Sequence, residues 1–94
     1  MMVLALLLLV ANAVAGLPGP TPAEFAKALS EHTGRNVNAA DLRRLCCKDV
    51  GADEPTEAKC RWQQRVGVKW RKFSTYVAID ARGWHLIDEP YAER

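Results

Sequence analysis

The chain has 94 residues, a formal net charge of +2 and 49% hydrophobic residues. That length fits one domain, and the composition excludes a disordered polyelectrolyte. A charge so near balance gives little guidance about partners, and much of the hydrophobic fraction lies in the first fifteen residues.

The run Met1 to Ala11 is almost wholly apolar, centred on Leu4 and Leu6 to Leu9. Small residues follow, and two A-x-A patterns, Ala11-Asn12-Ala13 and Ala13-Val14-Ala15, fit a signal-peptidase site. The pattern predicts a signal peptide over 1–15, with cleavage after Ala15 favoured over Ala13. No Lys or Arg precedes the run, which departs from the usual basic start. The run is too short for a bilayer, which needs about 20 apolar residues, so no stable membrane anchor is expected after cleavage. The product is expected to be periplasmic or secreted. Every Lys, Arg, Asp and Glu lies after Ala23, so the mature part keeps the whole charge. It has roughly 80 residues, a size at which the core is marginal and a covalent staple is useful.

Leu17-Pro18-Gly19-Pro20 reads as a flexible leader (16–20) ahead of a single domain over 21–94. Thr21, Pro22 and Glu24 form a capping box with a pre-set first turn. Phe25, Ala28, Leu29 and His32 then recur at i, i+3, i+4 and i+7, and Gly34 supplies a left-handed stop. Together they predict a helix over 22–33. Asn38 to Asp41 suggests a further turn. Leu42, Leu45 and Cys46 have helical spacing, whereas Leu45 and Cys47 alternate with Arg44, Cys46 and Lys48. We read one helical turn followed by a strand over 43–49.

Gly51 to Thr56 is a loop, and the rest reads as β. Cys60 to Val66 is a strand with Cys60, Trp62, Gln64 and Val66 on one face. Gly67 marks a turn and Lys69 to Asp80 a long strand. Asp80-Ala81-Arg82-Gly83 is a hairpin turn. Trp84 to Asp88 is the last strand, ended by Pro90. The hairpin registers stay open, because a slip of one residue exchanges the faces of Trp70 and Phe73. The fold class is α+β: one amphipathic helix on a meander of three or four antiparallel strands, covering the face of Trp62, Val77, Ile79 and Leu86.

The cysteines are Cys46, Cys47 and Cys60. In an oxidising compartment they are disulfide candidates. Adjacent cysteines do not readily bridge each other, so Cys46 or Cys47 pairs with Cys60. Alternation puts Cys47 on the apolar face and favours Cys47–Cys60, with Cys46–Cys60 the alternative. Either leaves one free thiol. Cys46 is then the candidate for redox chemistry or a covalent dimer, flanked by Arg43, Arg44 and Lys48. Its plain reading is an incidental surface cysteine.

Other chemistry is poorly supported. Cys46, Cys47, Cys60 and His85 lack zinc spacing, and C-x-x-C is absent. No spacing ties His32 or His85 to a cysteine nucleophile, or pairs Asp80, Asp88 and Glu89 for acid–base work. The glycines form no phosphate loop. No cofactor, metal or catalytic residue is expected.

One stretch stands out electrostatically. Lys59, Arg61, Arg65, Lys69, Arg71 and Lys72 occur without an acid, interleaved with Trp62, Trp70 and Phe73. Arg61, Arg65, Lys69 and Arg71 are the candidates for contact with an anionic partner. Such a pattern suits polyanions, but an exported chain is not expected to meet nucleic acid. An envelope component or a protein with an acidic surface fits better. The plain alternative is a solvated hairpin face with its tryptophans in the core.

The Thr21-Pro22-Ala23-Glu24 helix start, Leu45-Cys46-Cys47, Cys60-Arg61-Trp62 and Gly83-Trp84-His85-Leu86-Ile87-Asp88 together resemble small uncharacterised exported proteins of proteobacteria. The resemblance implies export, and a bridge from a cysteine near the first strand to one opening the next. It implies no activity. The sequence therefore predicts a non-catalytic binding module of the periplasm or envelope, of unspecified oligomeric state. A thiol role for Cys46 is the alternative.

Overall fold

The computed structural model describes residues 19–50 and 56–94. The expected signal peptide, most of the leader and all but Thr56 of the 51–56 loop lie outside the described residues. Helix α1 (Pro22–Thr33) starts on the expected capping box: the Thr21 hydroxyl accepts from the Glu24 amide, and the Glu24 carboxylate accepts from the Thr21 amide. Gly34, at φ 73°, closes it by donating to the Ser30 carbonyl. A 3-10 turn (Ala39–Asp41) then leads into the sheet.

The sheet has five antiparallel strands, β1 (Leu42–Asp49), β2 (Glu57–Val66), β3 (Lys69–Asp80), β4 (Gly83–Leu86) and β5 (Tyr91–Ala92). The path β1-β2-β3-β4 is the expected meander, and the α+β class holds. Trp62 pairs with Phe73 and Val66 with Lys69, leaving Gly67-Val68 as a two-residue turn. Gly67 takes φ 66° there, which glycine adopts without steric cost. This register puts Phe73 on the Trp62 face and Trp70 on the opposite one.

The ambiguity around Leu42 and Leu45 resolves into a β-bulge. Arg43 pairs with Gln63 and Cys46 with Arg61, so β1 carries one extra residue. Arg44 absorbs it in the left-handed region, at φ 56°. The bulge lets Leu42 and Leu45, three residues apart, both pack on the core. A helical interval inside a strand is the trace of that insertion.

The core lies between α1 and one face of the sheet. Phe25, Leu29, Cys60 and Val77 are its most deeply buried side chains. Phe25 meets Trp62 edge-on at 4.6 Å, and Trp62 stacks on Phe73 at 5.8 Å. Burying each large apolar side chain is worth about 1.5–3 kcal/mol. The Trp62 indole N–H donates to Gln64 Oε1, so its polar atom is satisfied. Val66 shares this face by alternation but is exposed, near the hairpin tip.

The end of the chain differs from the expected single strand: β4 stops at Leu86, not Asp88, and pairing resumes after Pro90 in β5, which the sequence pattern does not predict. β4 and β5 share one edge of β3, at Val77–Asp80 and Phe73–Ser74 respectively. Ile87 still donates its amide to the Tyr76 carbonyl, and after it the chain leaves the ladder. The Thr75 hydroxyl donates to the Asp88 carbonyl at 2.7 Å and holds the excursion in place. Pro90 lacks an amide hydrogen, so it interrupts pairing without preventing its return.

Candidate functional site

Cys47 and Cys60 sit directly opposite each other on β1 and β2 and form a disulfide. Alternation selected this pair because the bulge precedes Cys46 and leaves the local period of two intact. Pro20 is buried, and Gly19 passes so close to Cys47 that a Cβ at position 19 would lie 2.6 Å from Cys47 Cβ. Only a residue without a side chain fits there unless something shifts. Cys46 points the other way, free and exposed.

The face opposite α1 is formed by alternate residues of the three long strands. Arg43, Cys46 and Lys48 come from β1, Lys59, Arg61, Gln63 and Arg65 from β2, and Trp70, Lys72, Ser74 and Tyr76 from β3. No described element covers it. Trp70 is its centre at the hairpin end: the Arg43 guanidinium lies 4.1 Å from the ring centroid and that of Arg65 5.2 Å. Arg43 is held by Gln63, whose Oε1 accepts from Nε at 2.6 Å. Cation–π contact of this kind keeps the cations extended over the surface.

The four sequence candidates divide between the two faces. Arg61 and Arg65 join the open face. Lys69 and Arg71 pair with Val66 and Gln64 on the other face, at the exposed hairpin end. Arg43, Lys48, Lys59 and Lys72 also belong to the open face and are not among those candidates. Acids trim it at the margins, where Glu93 pairs with Arg61 at 3.4 Å and Asp41 with Arg65 at 3.6 Å.

No family model, curated protein or solved structure matches this chain.

Lys48 stands directly opposite Lys59, and Arg61 opposite Cys46. These four residues line a recess of about 330 Å3. Beside it, across Lys59, lies a cavity of about 500 Å3 whose lining includes Ser74, Tyr76, Asp88, Glu89 and Tyr91. Tyr91 is 71% exposed.

The two histidines gather elsewhere, where α1 meets β4. His32 Nε2 lies 3.1 Å from Glu89. His85 Nε2 is 3.0 Å from Asp80, and its Nδ1 is 3.9 Å from Glu31. The Arg82 amide also donates to Asp80, and these two partners hold the Asp80 carboxyl below its usual range, the amide more than His85. β1 and β4 are three strand spacings apart, about 14 Å, so Cys46 and His85 are not brought together. Among the described residues no group of His, Cys, Asp and Glu is placed to hold a metal ion. No helix among them is long and apolar enough to cross a membrane.

Proposed function

We propose that this chain is an exported domain that acts as a non-catalytic binding module of the periplasm or envelope, gripping a partner with an acidic surface. The observation that carries this reading is the open sheet face, which carries Arg43, Lys48, Lys59, Arg61, Arg65 and Lys72, with Trp70 between Arg43 and Arg65 at its hairpin end. A sheet face that no described element covers and that carries three Arg and three Lys complements an acidic surface electrostatically. The Cys47–Cys60 bridge fits an oxidising compartment. The leucine run and A-x-A pattern supply the route there, and the likeness to exported proteobacterial proteins agrees with it.

The test compares two charge reversals on an anionic resin and on acidic envelope extracts. Arg61→Glu/Arg65→Glu changes the open face, while Lys69→Glu/Arg71→Glu changes the same net charge on the other. The first should abolish salt-sensitive retention, and the second should retain most of it. Equal loss from both would mean that only net charge matters, and the face would have no role.

A second reading rests on Cys46, which is exposed and unbridged on the same face. It makes Cys46 a redox or covalent-dimer thiol. Alkylation of Cys46 would abolish that role, and it would leave charge-dependent binding by the rest of the face in place.

A further inference from the structure

The open face has a polarity of its own. Lys48 and Lys59 are directly opposed across β1 and β2, an arrangement that repulsion makes unfavourable in a sheet. Arg61 adds a third cation to the recess they line, and among the described residues Glu93 pairs with Arg61. A local conflict of this kind is expected at functional or strained sites. The adjoining cavity is different. The exposed Tyr91 offers a flat aromatic surface there, beside Tyr76, whose ring carries the Lys59 ammonium at 5.7 Å, and Asp88 offers an acceptor. An anion would be repelled from that end. A hydroxyl-bearing ring would be held, with its C–H face on Tyr91 and a hydroxyl donating to Asp88. Lys59 lines both compartments, so one ligand can span them.

Resting on the binding role proposed above, we propose that the ligand is an acidic saccharide: a sugar ring in the tyrosine cavity, with a phosphate, sulfate or carboxylate substituent in the Lys48–Lys59–Arg61 recess. An acidic peptide would satisfy the recess, but its other carboxylates would face Asp88. Only a ligand with one anionic end and one neutral, hydroxyl-rich end complements both compartments.

The test is calorimetric titration of the disulfide-intact protein with a sulfated tetrasaccharide, its desulfated counterpart and hexaglutamate. The sulfated sugar should bind at least about ten-fold tighter than either of the others. Tyr91→Ala should weaken the sugar about ten-fold and leave hexaglutamate unchanged, and Lys48→Gln should weaken both. Tyr91 and Lys48 are exposed, so both variants should keep the parent circular dichroism spectrum. Hexaglutamate binding as tightly as the sugar, with Tyr91→Ala silent, would overturn the saccharide while leaving the basic face as a protein-binding surface. Equal binding of the desulfated sugar would remove the recess from the site. Loss of all anion binding, or binding that survives Arg61→Glu/Arg65→Glu, would overturn the binding role itself.

Discussion

Replacing Cys47 and Cys60 together by Ala should cost about 3–4 kcal/mol. The bridge spans 13 residues, and closing a loop of that size in the unfolded chain is worth about 3 kcal/mol. Cys60 is fully buried, so the lost sulfur adds a small cavity and brings the total toward the upper figure. A domain of roughly 75 residues has about 4–11 kcal/mol of stability in all. The double variant should therefore melt about 12–30 °C below the parent, at 4–8 °C per kcal/mol for this size. Trp62, packed between Phe25 and Phe73, reports the transition by fluorescence in heat and urea. Cys46→Ala is the control. Its side chain is exposed and unbridged, so the change should stay within about 0.5 kcal/mol. The reasoning fails if Cys46→Ala costs as much as the pair, or if the pair leaves the melting point unmoved.

Other outcomes follow from individual positions. Arg44 holds a left-handed conformation that costs a side-chain-bearing residue about 1–2 kcal/mol. Arg44→Gly should therefore raise urea stability by up to about 1 kcal/mol, and Arg44→Val should lower it by about as much; the opposite order would remove the bulge from β1. The Asp80 carboxyl is depressed in the folded state, so its contribution is present above the unfolded pKa and is lost as pH falls through the lower, folded value. A carbon-detected NMR titration should place its midpoint below that of Asp80 in the urea-unfolded chain. His85→Ala should move it up only part of the way, since the Arg82 amide remains; no movement would mean that His85 has no share in the depression.

What the sequence disclosed, and what it withheld, has a physical pattern. The α1 start was legible because Thr21, Pro22 and Glu24 act within one turn of chain. Cys47 was legible because alternation is local and the bulge ends before Cys46. The bulge itself was visible only as an ambiguity, since Leu42 and Leu45 satisfy helical spacing as well as an interrupted strand. β5 was missed because Pro90 reads as a stop. Its two residues pair only because β3 extends past β4 and offers a free edge, a fact of tertiary length. The basic run was plain as charge but not as surface. Which of Arg61, Arg65, Lys69 and Arg71 share a face depends on the Gly67-Val68 turn, where one residue of register exchanges every partner. Arg43 and Lys48 join the face from β1 through its pairing with β2, and spacing along one strand carries no signal of it.

The central claim is an exported domain stapled through one disulfide, with an open basic face. Its most direct test is intact mass and peptide mapping of the protein recovered from periplasm or medium, alkylated without reduction. The account predicts a chain beginning at Gly16, a Cys47–Cys60 bridge and a single alkylated thiol at Cys46. An uncleaved chain with three alkylated cysteines would contradict it, and would place the protein in a reducing compartment or on a membrane.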